Sequence, residues 1–233
     1  MPTRSIIVTD LTRFKNGQTV CIAGTDTVSR LCVRPMPYLE VAVCEELQIL
    51  PGAILTGIFT PAHNLIGPHQ EDANYENLQF DGACTSNQFK DALEAGLFNS
   101  IEEGFELDIA IDQKHVPLGH EVGRSIITIR VDSANINLVE DAYNPGRIKI
   151  HLIDGSGHSF RYLPITDLGF YRHAMAHQEI GDIESLNAFL HEQEEIYIRI
   201  GLSRNWDKRP GYWMQVNGIY TFPEYHQEIR SYI

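Results

Sequence analysis

The sequence predicts a mainly β protein with inserted helices, because short alternating apolar runs and turn signals recur along the whole chain. Ile196, Ile198 and Ile200 alternate with other side chains, which is the period of a half-buried strand. Residues 212–222 are rich in aromatic and β-branched side chains, which favour a pleated sheet. Residues 203–211 are polar and end in Pro-Gly, so the sequence predicts a turn that joins these two strands.

The same pattern recurs in other short runs that are bounded by glycine, proline, asparagine or aspartate. The further predicted strands are residues 5–8, 19–23, 30–36, 53–60, 105–111, 125–131, 147–153 and 158–163. Apolar residues at helical spacing predict helices that begin near Ser86, Asp167 and Asp182. Residues 61–84 show no clear periodicity and are predicted to form a long loop.

Composition and charge limit the classes of partner. The chain of 233 residues is 43% hydrophobic, which is enough for one large core or two small ones. A formal net charge of -13 opposes indiscriminate binding to duplex DNA or anionic membranes. No apolar run approaches the roughly 20 residues of a spanning helix, and the N-terminus lacks a secretory pattern. Four cysteines without C-x-x-C spacing favour reduced structural thiols, so a cytoplasmic location is predicted.

Short matches between the two halves of the chain indicate an internal repeat. Residues 8–11 (VTDL) resemble residues 165–168 (ITDL), and a Ser-Arg and then an Arg-Pro follow each of them. These dipeptides are residues 29–30 and 34–35 in the first half, and 203–204 and 209–210 in the second. The shared order predicts two related units, which we place at residues 1–118 and 119–233, on either side of a linker rich in proline and glycine.

Each unit then contains about five strands with a late helix. This inventory suits a small, partly open five-stranded barrel of the OB type. An SH3-like barrel or a sandwich has a similar strand count, so periodicity alone leaves these alternatives open.

Several short motifs together resemble a known family. Their order is VTDLTRF, CIAG, VRP, PHQED, ITDL, IGL-SR and a terminal QVNGIY-FP, of which residues 68–72 and 215–220 are the most specific. This order resembles a family of mostly bacterial proteins described as containing a dual OB domain. The resemblance covers nearly the whole chain and implies two OB-like barrels in a nucleic-acid-related setting, such as bacterial defence or a mobile element. It brings no established catalytic centre, so no catalytic residue is carried over.

A basic and aromatic cluster is the first candidate site. Cations that follow phosphates and aromatic faces that stack on bases together hold single-stranded nucleic acid. The candidate residues are Arg204, Trp206, Lys208, Arg209, Tyr212 and Trp213, with Arg30 and Arg34 at the matching places of the first unit. The alternative is structural: Trp213 lies in the core, and the arginines pair with some of the many carboxylates.

Two further sets of residues could carry chemistry. His69, Glu71 and Asp72 lie in the long loop, where a carboxylate pair beside a histidine can bind a divalent cation or act as acid and base. Holding the loop in place is the favoured role for them. His173 and His177 lie four residues apart on a predicted helix, which is a zinc-binding spacing, although the H-E-x-x-H pattern is absent. A third ligand would come from Glu179 or His191, and exposed histidines without a ligand are commoner.

The sequence lacks the signatures of P-loop NTPases, dinucleotide-dependent dehydrogenases and α/β-hydrolases. We therefore favour a non-enzymatic module of two OB-like barrels that binds single-stranded or structured nucleic acid. A protein-interaction subunit of a larger complex is the first alternative, based on the acidic net charge. A metal-dependent enzyme that acts on nucleic acid or nucleotides is the second. No cofactor is predicted, and a divalent metal belongs to this last alternative alone.

Overall fold

The computed structural model describes residues 2–63 and 65–230 of the chain. In this part the strands are β1 Arg4–Arg13, β2 Thr19–Asp26, β3 Cys32–Met36, β4 Leu39–Glu40, β5 Ala53–Pro61, β6 Asp72–Ala83, β7 Leu97–Phe98, β8 His115–Val116, β9 Ile126–Val131, β10 Ile136–Glu140, β11 Ile148–Ile153, β12 Ser159–Pro164, β13 Glu195–Leu202 and β14 Tyr212–Phe222. The helices are α1 Val41–Glu46, α2 Ser86–Glu94, α3 Ile101–Phe105, α4 Leu168–Glu179 and α5 Ile183–His191. The predicted fold class, mainly β with inserted helices, is confirmed.

The first barrel closes because its first strand is long enough to pair on both sides. β1 pairs with β5 through residues 4–7 and with β2 through residues 6–13, with a bulge between Val8 and Asp10. β2 pairs with β3, β3 runs parallel to β6, and β6 returns to β5. The closed order is therefore β1-β2-β3-β6-β5, with α1 between the third and fourth strands of the barrel. Five strands that close as a Greek key form an OB fold.

The second barrel follows the same plan but is split into two sheets. β9 and β10 together form its first strand, and a 3-10 turn at Ser133–Asn135 interrupts them. β9 pairs with β13 and then β14, whereas β10 pairs with β11 and then β12. A parallel bridge between Ile165 and Val216 joins the end of β12 to β14, as β3 is joined to β6 in the first barrel. α4 and α5 lie between the third and fourth strands, so this unit is a second, more open OB-like barrel.

A buried polar and aromatic contact joins the two barrels. Arg199 on β13 donates from Nε and Nη2 to Oδ2 of Asp10 on β1, at 3.0 and 2.8 Å. The Tyr220 hydroxyl on β14 donates to the Thr9 carbonyl at 2.6 Å. An apolar cluster beside them contains Ile7 of the first barrel, three residues of α2, and Tyr197 and Tyr220 of the second barrel. The barrels therefore share a core rather than being connected by a linker alone.

The segment between the barrels belongs to both of them. α2 packs into the shared apolar cluster, β7 pairs with β9, and β8 pairs with β14. Strands on both sides of residue 118 pair within the second barrel, so strand pairing does not place a boundary there. The division at residue 118 stays a prediction.

Two predicted elements differ from the structure. Residues 72–83, predicted as part of a loop, form β6; two bulges against β5 shift its register, and much of the strand is exposed, so its apolar residues do not alternate. Residues 105–111, predicted as a strand, begin with the last residue of α3. The Glu102 carboxylate accepts a hydrogen bond from the Ile109 amide, which folds this segment back onto the helix. β10 was not predicted.

The predicted repeat is wrong in detail, although both units have the OB strand order. The first T-D-L lies within β1, whereas Asp167 of the second caps α4 by accepting a hydrogen bond from the Phe170 amide. The Ser-Arg and Arg-Pro pairs also differ, since residues 29–35 cover the β2–β3 turn and β3 whereas residues 203–210 lie between β13 and β14. Short polar dipeptides serve turns and caps in many places, so they do not mark equivalent positions here.

Candidate nucleic-acid interface

The outward face of β11 and β12 is the candidate interface. On β11, Ile148, Ile150 and Leu152 point into the second barrel, so Lys149 and His151 point outward. β11 and β12 are the second and third strands of this barrel, which form the ligand face of many OB folds. We call the outward residues and their cationic and aromatic neighbours the β11–β12 face; it consists of Arg13, Lys114, Tyr143, Arg147, Lys149, His151, Arg161 and Tyr162.

A bulge in β12 turns two adjacent side chains toward this face. The register between β11 and β12 shifts at His151, and Tyr162 has a φ of 56°. The ring centroids of Tyr162 and His151 lie 4.5 Å apart, and those of Tyr162 and Tyr143 lie 5.8 Å apart. Tyr143 is 80% exposed. The bulge therefore places a row of three rings on a surface where bases can stack.

The loop that carries Tyr143 is held in place by Asp141. This buried carboxylate accepts hydrogen bonds from the Tyr143 amide at 3.0 Å and from the Asn144 side chain at 3.2 Å. Lys149 Nζ lies 3.8 Å from the same carboxylate. These contacts hold the pKa of Asp141 below its usual range despite its burial. Because this loop is already ordered, a ligand that binds Tyr143 and the exposed Arg147 loses little free energy in fixing the loop.

Positive charge accumulates on the β11–β12 face. Burial lowers the pKa of Lys149; Asp141 raises it, whereas the nearby cations Arg147, Arg13 and Lys114 lower it further. Burial likewise lowers the pKa of His151, and Arg161 and Lys114 add to this effect. Four further cations, Arg13, Lys114, Arg147 and Arg161, thus lie near Lys149 or His151 in a chain that has only 18 lysines and arginines.

The loop between β13 and β14 adds aromatic and basic groups beside this face. The Arg209 guanidinium lies 3.4 Å from the centroid of the Trp213 ring, and the Trp213 indole donates to the Arg209 carbonyl. The Trp213 ring also stacks on His115, which follows Lys114 in the chain. Trp206 is 55% exposed. Four of the residues predicted from sequence, Trp206, Lys208, Arg209 and Trp213, are therefore in this loop or at its end.

The other four predicted residues do not contribute to this surface, although Arg204 and Tyr212 belong to the same loop or its end. Arg34 is buried and pairs with Asp72 at 2.6 Å, and Arg204 pairs with the other oxygen of Asp72 at 2.7 Å. Tyr212 is buried against Gly67, and its ring lies 5.7 Å from that of His69. Arg30 lines a separate cleft between the barrels. The first unit therefore does not place Arg30 and Arg34 at the positions that Arg204 and Arg209 have in the second.

The PHQED loop connects the barrels. Both Glu71 oxygens are occupied, because they accept hydrogen bonds from the Ser125 amide and hydroxyl and from the Ile126 amide. Asp72 bonds two arginines, and His69 Nε2 donates to the Leu202 carbonyl at 3.2 Å. All three side chains are buried. Their contacts fit the structural role that the sequence favoured for them.

We expect His69 to make the stability of the protein depend on pH. Burial lowers the pKa of His69 to about 4, and Arg204 and Arg34 contribute to this shift. The unfolded chain takes up this proton near pH 6.5, so the stabilisation by neutral His69 is complete above that pH and is lost as the pH falls to about 4. The full effect is about 3 kcal/mol, measured by urea unfolding at several pH values.

The His69→Gln variant isolates this effect, because its side-chain amide can still donate to the Leu202 carbonyl. Its unfolding free energy should fall by about 2–3 kcal/mol less than that of the wild type between pH 7.5 and 4.5. His63→Gln, in the exposed part of the same loop, is the matched control and should behave like the wild type. An unchanged pH dependence in His69→Gln would contradict the assignment.

The predicted histidine pair lies on α4, as the spacing indicates. The rings of His173 and His177 are 4.7 Å apart, and His226 lies 4.8 Å from His173. Within residues 2–63 and 65–230, no group of three or more histidine, cysteine, aspartate or glutamate side chains is arranged to hold a metal ion. A metal at His173 and His177 stays a prediction.

Sequence reasoning missed most of the β11–β12 face, although one signal was present. Residues 147–153 were recognised as an alternating strand, and the polar positions of that strand are basic rather than acidic. In a chain with a formal net charge of -13, a strand face with only basic polar residues indicates a binding surface. Arg13, Lys114 and Arg161 gave no local signal, because the fold brings them together from distant parts of the sequence.

Comparison with known proteins agrees with the geometry. The model of the dual OB-containing domain matches residues 6–219. Neither a curated protein nor a solved structure gives a significant match. In the part of the chain that the structure describes, no helix is both long and apolar enough to cross a membrane. With two OB barrels and a match over most of its length, the chain belongs to the dual OB-containing domain family.

Proposed function

We propose that this protein is a binding module that holds single-stranded nucleic acid on the β11–β12 face. One observation carries the proposal: Lys149, His151, Arg161 and Tyr162 on the second and third strands of an OB barrel adjoin the exposed Tyr143 and Arg147 of the loop before them. OB folds bind oligonucleotides at this place. Cations follow the phosphates, and rings such as Tyr143 and Tyr162 stack on bases of any sequence.

The exposed rings and the net charge of the molecule favour a single strand over a duplex. Exposed rings gain stacking energy only from bases that are not already stacked in a helix. A net charge of -13 repels a long duplex, whose phosphates extend beyond a local basic surface. A flexible single strand can follow the face and avoid the acidic surroundings.

The corresponding face of the first barrel is partly covered. Thr25 on β2 donates to the Ala92 carbonyl of α2, and Arg34 on β3 donates to the Ser125 hydroxyl. Cys32 on β3 accepts from Arg199 of the second barrel. A strand of bases therefore has more room on the second barrel than on this face of the first.

Fluorescence anisotropy with labelled single-stranded DNA, single-stranded RNA and duplex DNA tests the proposal at 50 and 200 mM salt. We expect a single strand to bind more tightly than the duplex and to weaken with salt, because each phosphate contact contributes a slope of about -0.7 in log K against log salt. No binding at 50 mM salt would reject the proposal and favour a role as a protein-interaction subunit.

Tyr143→Ala should weaken single-strand binding by about 5- to 150-fold, since a stacked base contributes about 1–3 kcal/mol. Tyr143 is largely exposed, so its loss should leave the melting temperature nearly unchanged. Phe80→Ala is the matched control, because Phe80 is an exposed ring on β6 of the first barrel. Equal losses in both variants would place the site elsewhere.

A further inference from the structure

A cleft of about 480 Å³ lies where the two barrels and α2 meet. Its walls come from the β2–β3 turn, the end of α2, the PHQED loop and the segment before β9. The residues that matter for its chemistry are Arg30, Gly96, Phe98, Gly123, Arg124 and Arg199. Pockets for small ligands have volumes of about 300–1,000 Å³ and often lie between domains. The cleft is separate from the β11–β12 face and shares none of its residues.

Two arginines give the cleft its positive character. The charge of Arg199 is compensated by Asp10, and that of Glu71 by Arg34 and two backbone amides. Arg30 donates to the backbone carbonyl of Asp91. Arg124 pairs with Glu106 at 3.2 Å, but Glu106 is 63% exposed. Such a surface pair contributes little, so a bound anion can replace it at low cost.

Arg30 occupies a backbone conformation that costs energy for a residue with a side chain. Its φ is 64°, in the left-handed region that glycine and asparagine prefer. The turn around it is rigid, because Asp26 Oδ1 accepts hydrogen bonds from the amides of Val28 and Ser29. A strained cation held at the mouth of a cleft is the kind of outlier that functional sites retain.

One side of the cleft suits a planar ring. The Arg124 guanidinium lies over the Phe98 ring, 4.7 Å from its centroid. Stacked arginine and phenylalanine together form a flat surface, and guanidinium groups stack on bases as well as bind phosphate. Gly96 and Gly123 line the cleft without side chains, and a Cβ placed at Gly123 would have nothing within 4 Å. The site therefore combines a flat wall, open space and two cations.

From these features we infer that the inter-barrel cleft binds a nucleoside monophosphate or a similar organic anion with one planar ring and one phosphate. Arg30 and Arg124 hold the phosphate, and the ring stacks on the flat surface that the Arg124 guanidinium forms over Phe98. This inference is independent of single-strand binding at the β11–β12 face. It assigns the chain a second, small-molecule site at the place where the orientation of the barrels is set.

Isothermal titration calorimetry with AMP, UMP, adenosine and inorganic phosphate tests the inference on the full chain. We expect both monophosphates to bind at submillimolar concentration, and adenosine and phosphate to bind at least tenfold more weakly. Arg30→Gly and Arg124→Gln should each weaken AMP binding at least tenfold. Arg30→Gly should not lower the melting temperature, because glycine relieves the strained backbone.

Two control variants separate this site from other cationic surfaces. Arg130→Gln removes an exposed arginine that pairs with Glu195, as Arg124 pairs with Glu106, but it lies outside the cleft. It should bind AMP like the wild type, and so should a variant with Arg147→Glu and Arg161→Glu. Absence of AMP and UMP binding at 1 mM, or equal binding by Arg30→Gly and the wild type, would overturn the inference. Phosphate that binds as tightly as AMP would overturn the role of the ring.

Discussion

We expect Arg199→Met to lower the free energy of unfolding by about 3–5 kcal/mol. Arg199 is 2% exposed and forms two hydrogen bonds to Asp10 Oδ2, and its Nη1 donates to the Thr128 hydroxyl at 2.9 Å. Methionine fills a similar volume but leaves Asp10 charged and without its cation in a buried place. The penalty comes mainly from that unpaired carboxylate rather than from the lost attraction itself.

A double-mutant cycle tests this explanation by urea unfolding at pH 7. Asp10→Asn alone leaves the arginine charge buried without its carboxylate and should also destabilise the protein. The double variant should recover at least about half of the loss seen in Arg199→Met, because it removes both charges. Arg130→Met, an exposed arginine on the neighbouring strand β9, is the control and should change stability by less than about 1 kcal/mol.

Purely additive losses in the cycle would show that Arg199 and Asp10 do not act as a pair. A loss of less than about 1 kcal/mol in Arg199→Met would show that the barrels do not depend on this contact for their stability.

Arg199 also shows how far the sequence predicts the fold. The alternation of Ile196, Ile198 and Ile200 correctly predicted a strand, and it implied that the intervening residues face water. In the structure both faces of β13 are buried, because the outward face packs against the first barrel. Period-two alternation reports which side faces the barrel's own core, and it contains no information about a second domain on the other side.

Only part of the candidate site was predicted, because the rest depends on contacts between distant residues, as for Arg199. Trp206, Lys208 and Arg209 are adjacent in sequence and lie in one loop, so composition alone identified them. Arg34 and Arg204 belong to the same residue class, but each forms an ion pair with Asp72 between the barrels. Whether an arginine meets a carboxylate or solvent depends on contacts between residues far apart in the chain. Local sequence reasoning cannot assign those contacts.

Reversing two charges on the β11–β12 face should abolish most single-strand binding. Arg147 and Arg161 are both exposed, and each is close in sequence to one of the rings. A charge-assisted contact contributes about 1.5–3 kcal/mol, so losing two of them in the variant with Arg147→Glu and Arg161→Glu lowers affinity by roughly 100-fold or more. The slope of log K against log salt should decrease by about 1.4 in the same variant, because two phosphate contacts are lost.

The control for net charge is a variant outside the β11–β12 face. Arg130→Glu reverses an exposed cation on β9 that pairs with Glu195. If affinity depends on the local face, Arg130→Glu should bind within about threefold of the wild type, because this residue makes no phosphate contact on the face. If affinity depends only on total charge, each reversed charge should weaken binding equally wherever it lies, and the β11–β12 face would lose its role. The salt slope distinguishes the two cases independently, since only a lost phosphate contact reduces it.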